Sequence, residues 1–195
     1  MRLGVPKEPE NETRVAIVPS SIKKLTKAGF EVCVQQGAGQ KANYNDSQYE
    51  DAGAKIVSRE EALSCPNIIC INFPGTDGIS KNSNVACVAD PFRNSDYVKQ
   101  CLSANITLMS MDMIPRRLSR AQSMDVNSSQ DNLAGYKAVL LGASNVPKGI
   151  PMMTTSAGTV RLAKVVVMGS GVAGLQAIAT AKRLGAVVYA SDVRK

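Results

Sequence analysis

The stretch KVVVMGSGVAGLQAIATAKRLGAVVYASD, residues 164–192, decides how this chain reads. Val165, Val166, Val167 and Met168 form a short apolar run of the kind that a fully buried parallel strand carries. Gly169, Gly171 and Gly174 follow as G-x-G-x-x-G. Helix formers with an apolar face predict a helix over 172–184, and Gly185 stands where a helix stops. Residues 186–190 read as a second strand, with Asp192 at its tip.

Each glycine has a distinct expected task. Gly169 permits the tight turn out of the strand, Gly171 lets backbone approach a pyrophosphate, and Gly174 lets the helix pack close. The free amides and positive dipole end of the helix then suit phosphates. Asp192 lies about 23 residues beyond Gly169, near the roughly 20 expected of the acid that binds ribose hydroxyls. A carboxylate there accepts two hydroxyl protons and repels a 2′-phosphate, which favours NAD over NADP. Arg194 pulls the other way, because an arginine nearby can serve a 2′-phosphate. The plain structural reading of the same stretch is a βαβ turn that binds nothing.

Composition narrows the classes. The chain has 195 residues, 44% hydrophobic and 20% charged, as ordinary globular proteins do. Aromatic residues make up 4% with no Trp, so stacking platforms for single-stranded nucleic acid are not expected. The net charge of +7 comes from scattered residues, the densest short group being Arg116, Arg117 and Arg120; it reads as a basic surface, not a nucleic-acid interface. Five cysteines lie outside C-x-x-C spacing, and Cys33, Cys70 and Cys87 sit in apolar runs as free core thiols do. An odd count with no signal or transit segment points to a reducing, cytoplasmic compartment. No histidine is present, so neither a metal site nor a histidine base is expected.

Upstream, the chain alternates strand and helix patterns. Strands are expected at 3–6, 31–35, 54–57, 68–71, 85–88 and 105–109. Helices are expected from Ser20 to Gly29, from an Asp46 cap to Ala52, over 58–63 with a Ser58–Glu61 capping box, and over 91–103. This order implies a mainly parallel sheet covered on both faces. The fold class is therefore α/β: a Rossmann-like parallel-sheet first domain, then the start (βαβ) of a second Rossmann dinucleotide-binding domain. The expected division is 1–128 and 129–195, with a helix from a Ser129 cap to about Ser144 linking the two and a plain connection over 145–163. Arg14 is expected to brace an acidic neighbour, with carboxylate binding as the other reading.

Residues 115–132, PRRLSRAQSMDVNSSQDN, are the second chemical feature. Arginines there suit a phosphate or carboxylate, and Gln122 and Asp125 can bond an amide and hydroxyls. On composition alone, a solvated loop whose ions satisfy each other is an equal reading.

MRLGVPKE with NETRVA, then SRAQSMD, SSQDNLAGYKAV and GSGVAGLQAIATAKRLGAVV together resemble the NAD(H)-binding component of the alpha subunits of proton-translocating nicotinamide nucleotide transhydrogenases, within the alanine dehydrogenase/transhydrogenase N-terminal family. The resemblance runs essentially from end to end. It implies that the central loop binds and orients the nicotinamide half of NAD(H) through an Arg, a Gln and an Asp. Gln122 and Asp125 match directly, Ser128 follows three residues on, and the arginine is Arg116 or Arg117, because this loop carries one residue more than the family pattern. Arg120, Ser123 and Met124 complete the loop. Val172, Asp192, Val193 and Arg194 match positions that contact the adenosine half, beside Gly169, Gly171 and Gly174.

The resemblance further implies hydride transfer from NADH to NADP(H) held on a partner domain, coupled to proton translocation. It implies NADP(H)-binding and membrane partner domains, a homodimer, and a place on the inner side of a membrane through partner subunits. The family's component is longer than this chain, so a chain cut short within the second sheet is expected. Hydride transfer between two nicotinamides makes and breaks no O–H bond, so it needs oriented approach and no general acid or base. Two rival readings remain. An alanine dehydrogenase-like enzyme would need a lysine and a histidine, whereas Asn72, Phe73 and Pro74 stand near the expected lysine position. A truncated, non-catalytic nucleotide-binding or assembly module is the other.

Overall fold

A computed structural model describes residues 1–194, which divide into two compact units, 1–124 and 125–194. In the first unit, β1 (Arg2–Val5), β2 (Glu31–Gln35), β3 (Lys55–Val57), β4 (Asn67–Asn72), β5 (Asn84–Val88) and β6 (Thr107–Ser110) form one sheet in the order β3-β2-β1-β4-β5-β6. Every pairing in it is parallel. The order reverses direction between β1 and β4, the topological switch point of a doubly wound sheet.

Strand alternation splits the buried residues between two faces. Leu3, Val5, Val32 and Val34 pack with Ile22 of α1 (Pro19–Lys27) and Tyr49 of α2 (Asp46–Asp51). Ile68, Cys70, Val85 and Cys87 pack with Leu63 of α3 (Arg59–Leu63) and Cys101 of α4 (Ser95–Ser103). Tyr49 is fully buried, and its hydroxyl donates to the Ile17 carbonyl at 2.9 Å. Burial pushes that phenol up to about 12. All five cysteines are buried and free.

Several helix starts differ from the sequence reading, each for a local reason. Pro19, not Ser20, opens α1, since a proline loses nothing at the first helical position. Asn45, not Asp46, caps α2 in a reciprocal box with Gln48, while Asp46 accepts from the Gly37 amide. Ser58 caps α3 on the Glu61 amide, but the Glu61 carboxylate turns to Arg2 at 2.7 Å instead of completing a box. Residues 91–94 form a turn closed on the Asp90 carbonyl, so α4 starts only at Ser95.

The second unit opens with α5 (Val126–Asn145), a 20-residue helix capped by Asp125 and not by Ser129. Asp125 accepts from the Ser128 amide at 2.9 Å and the Ser128 hydroxyl at 2.6 Å. The segment read as a plain connection contains an exposed antiparallel hairpin, β7 (Met153–Thr155) and β8 (Gly158–Val160). Then come β9 (Lys164–Met168), α6 (Val172–Arg183) and β10 (Val187–Ser191), with β9 and β10 paired in parallel. The helices α5 and α6 meet closely: a Cβ on Gly135 would stand 2.1 Å from the Ala173 carbonyl oxygen. The expectation of a fully buried β9 fails, because Val166 and Met168 are 68% and 90% exposed. Among the described residues β9 pairs only with β10, and part of its surface has no covering layer. Among the described residues no helix is long and apolar enough to cross a membrane.

Candidate nucleotide site

The strand β9 ends at Met168, and Gly169 turns the chain with φ of +99°. Few residues other than glycine hold that value without strain. Gly169 donates to the Ser191 carbonyl at 2.7 Å, tying the turn to the end of β10. Gly174 lies directly under the turn: a Cβ there would meet the Gly169 carbonyl oxygen at 1.9 Å. Gly171 is different. The atom nearest a Cβ there is Arg194 Nη2 at 3.7 Å, an ordinary contact. Packing therefore requires Gly174, whereas at Gly171 the fold leaves space open. Gly171 is the N-cap of α6 and caps it with no side-chain bond, so the start of this 12-residue helix adjoins that space.

Asp192 closes the far side. Its Oδ2 accepts from the Ser170 amide at 2.7 Å and from the Ser170 hydroxyl at 2.9 Å, joining the tip of β10 to the glycine turn. Its Oδ1 accepts from the Arg194 amide and Nε, and Arg194 Nη2 reaches Oδ2. The Arg194 side chain, then the two amides and the serine hydroxyl, hold the Asp192 carboxyl well below the usual carboxylate range. The result is a cleft of about 510 Å³ lined by Met168, Gly169, Gly171, Ser191, Asp192, Val193 and Arg194. It combines the glycine turn at the start of α6 with the Asp192 carboxylate, across which the Arg194 guanidinium lies. That set suits a phosphate group beside a diol. Ser170 is the contributor that sequence reasoning misses; its place between two motif glycines, on the turn itself, is the available signal.

A larger groove of about 760 Å³ in the same unit runs between α5, β9 and α6. Its walls are mostly Ala, Val, Leu and Met side chains, with Lys148 and Lys164 as the charged residues. Volume alone does not bring phosphate donors together, so the smaller cleft is the chemical candidate.

The remaining expected site residues fall in two places. Arg116, Arg117 and Arg120 lie exposed in the turns after β6, and Gln122, Ser123 and Met124 form a single exposed 3-10 turn in the first unit. Asp125 and Ser128 belong to the second unit, bonded to each other at the start of α5. Val172 starts α6 and Val193 is exposed beside Asp192. Among the described residues no group of three or more His, Cys, Asp or Glu side chains is placed to hold a metal ion.

The switch point of the first unit is built otherwise. Beyond the end of β1, Glu8 is buried and accepts from the Ile71 amide at 2.6 Å, the Asn72 amide at 3.0 Å and Asn72 Nδ2 at 3.1 Å. These two consecutive amides turn to one carboxylate where the β4–β5 register shifts between Ile69 and Asn72. Glu12 takes three nitrogens of Arg14, its amide, Nε and Nη2, at 2.7–2.9 Å. Arg14 thus braces an acidic neighbour. Arg14 also holds the Glu12 carboxyl down to about 2.

A doubly wound α/β unit followed by a βαβ unit with an open glycine turn and an acidic strand tip defines a Rossmann-like protein of the nucleotide-binding class. Comparison with known proteins is more specific. Residues 4–134 match the alanine dehydrogenase/PNT N-terminal domain and residues 138–195 the alanine dehydrogenase/PNT C-terminal domain. The chain belongs to the alanine dehydrogenase/PNT family. It is 47% identical over 205 aligned positions to an NAD(P) transhydrogenase alpha subunit, first part, of Rhodospirillum rubrum, with all of this chain and 53% of that one covered. The transhydrogenase structure from Sinorhizobium meliloti superposes with a TM-score of 0.96 at 45% identity, over 100% of this chain and 59% of that one. An L-alanine dehydrogenase superposes with a TM-score of 0.85 at 28% identity, over 97% and 54% of the two chains. The chain thus spans about half the length of the curated relatives it matches.

Proposed function

We propose that this chain is the NAD(H)-binding part of a nicotinamide nucleotide transhydrogenase. The observation that carries the reading is the glycine turn whose own Ser170 amide is bonded to the Asp192 carboxylate, beneath the uncapped start of α6. The amides of that helix start would take the pyrophosphate, and Asp192 the adenosine ribose. The loop holding Arg116 or Arg117, Arg120, Gln122, Ser123 and Met124, with Asp125 and Ser128, is assigned to the nicotinamide half on family resemblance. Gln122 would hold the carboxamide and so select the ring face that is presented. NAD(H) itself supplies the hydride chemistry. The chain's residues bind and orient, which is all that a hydride transfer between two nicotinamides asks of them.

In the full enzyme, NADP(H) would sit on a partner domain, and the transfer would be coupled to proton translocation through a membrane domain. The assembly would be a homodimer on the inner side of the membrane. Alanine oxidation is the weaker reading. The chain has no histidine, and Asn72, near the position expected for a substrate lysine, is already bonded to Glu8.

Titration of the chain with NADH, followed by nucleotide fluorescence, tests the proposal, with NADPH as the control. Saturable NADH binding with none for NADPH supports it. Equal binding of both, or of neither, overturns it. Alanine-dependent NADH production would move the assignment to the dehydrogenase side of the family.

A further inference from the structure

The carboxylate assigned to the ribose is already fully engaged. Oδ1 of Asp192 accepts from the Arg194 amide at 2.8 Å and Arg194 Nε at 3.1 Å. Oδ2 accepts from the Ser170 amide at 2.7 Å, the Ser170 hydroxyl at 2.9 Å and Arg194 Nη2 at 3.1 Å. A carboxylate offers about four lone-pair directions, so five donors leave none for a sugar. Two ribose hydroxyls can enter only where existing donors leave.

The donors are not equally held. The Ser170 amide belongs to the turn between β9 and α6, and the Arg194 amide belongs to the main chain. The Ser170 hydroxyl can rotate away but releases only Oδ2. The Arg194 guanidinium engages both oxygens, sits on a long flexible stem and has a side chain 72% exposed. Its Nη2 also lies 3.7 Å from the space that a Cβ on Gly171 would fill, beside the open part of the turn. The guanidinium lies in solvent, whereas the carboxylate is 14% exposed and is also held by Ser170, so Arg194 is the partner that yields to a competitor.

We propose that Arg194 is a displaceable latch on the ribose subsite: its guanidinium occupies the Asp192 carboxylate in place of the sugar, and the adenosine diol of the nucleotide binds by displacing it. This rests on the nucleotide reading above and adds a residue that sets affinity. Through Asp192, Arg194 opposes binding until its guanidinium leaves the carboxylate.

Isothermal titration of NADH into the chain and into Arg194→Ala, Arg194→Lys, Asp192→Asn and the double variant R194A/D192N tests this. Arg194→Ala should bind NADH about threefold more tightly than the wild type, the scale of an ion pair whose cation lies in solvent. Arg194→Lys should fall between them, because an ammonium cannot grip both oxygens as a guanidinium does. The gain should vanish in the Asp192→Asn background and shrink as salt is raised. Weaker or unchanged binding by Arg194→Ala overturns the latch, as does a gain that survives in Asp192→Asn. The two readings fail separately. If Asp192→Asn weakens NADH binding while Arg194→Ala changes nothing, the ribose assignment stands and the latch falls. If Asp192→Asn binds as the wild type does, the ribose assignment falls and takes the latch with it.

Discussion

The chain contains two strand ends of the kind at which α/β sheets bind ligands, and it treats them in opposite ways. Beyond β1, a buried glutamate fills the switch point and satisfies the amides of Ile71 and Asn72 from within the chain. Beyond β9, Gly169 turns the chain and Gly171 leaves space open, and the helix start is left without a side-chain cap. Both places present backbone amides to negative charge. In the first the charge is Glu8; in the second, the phosphates of the proposed nucleotide would supply it from outside. The lesson is that a switch point marks where a ligand can bind, whereas the side chain at the strand's end decides whether the place is open.

The largest expected effect breaks the open site. Gly174→Ala puts a methyl 1.9 Å from the Gly169 carbonyl oxygen, so the turn or the helix must move. Calorimetry should show a loss of about 1–3 kcal/mol of stability, the usual cost of overpacking, and the proposed NADH binding should disappear. Gly171→Ala sharpens the contrast, since its methyl meets nothing closer than 3.7 Å. Stability should hold within about 0.5 kcal/mol while NADH affinity falls. Equal stability loss in the two variants would mean that Gly171 serves packing.

The closed site should break in the other sense. Glu8→Ala leaves two partly buried amides without an acceptor, at a cost of about 2–3 kcal/mol, read as a lower urea midpoint. NADH binding by the folded protein should not change. Tyr49→Phe removes the donor to the Ile17 carbonyl in the same unit and should cost about 1 kcal/mol by the same assay.

The remaining effect is one of pH. Arg14 holds Glu12 at about 2 against an ordinary 4.5. A carboxylate lowered on folding stabilises above its unfolded value, and that contribution is lost as pH falls from about 4.5 through about 2. Glu12→Gln should therefore flatten part of the acid limb of the stability curve over that window and leave the curve above it parallel to the wild type.

The elements of the second unit are legible in the sequence because period and punctuation agree there: an apolar run, three glycines, a helical face, Gly185 with φ of +86° and an acid at the end. Glu8 is not legible. Its partners lie 63 and 64 residues away, and nothing local marks a glutamate that will be buried. The cap of α5 is ambiguous in sequence because Asp125 and Ser129 are both good caps; Asp125 prevails by binding the amide and the hydroxyl of Ser128 together. The hairpin at Met153–Thr155 and Gly158–Val160 escapes a sequence reading because its six residues are exposed and carry no alternation. The apolar run at Val165–Met168 overstates its burial, since apolarity records what a strand can bury and not what covers it.

Sequence by itself determined the α/β alternation, the position of the glycine turn and the identity of the acid at the tip of β10, because each depends on residues within a few turns of chain. Tertiary structure decided that Glu8 closes the first switch point, that Gly174 serves packing while Gly171 leaves space, and that Arg194 lies across Asp192. Those outcomes depend on which polar groups meet across the fold, and a buried amide or a carboxylate takes whatever partner the packing brings within about 3 Å.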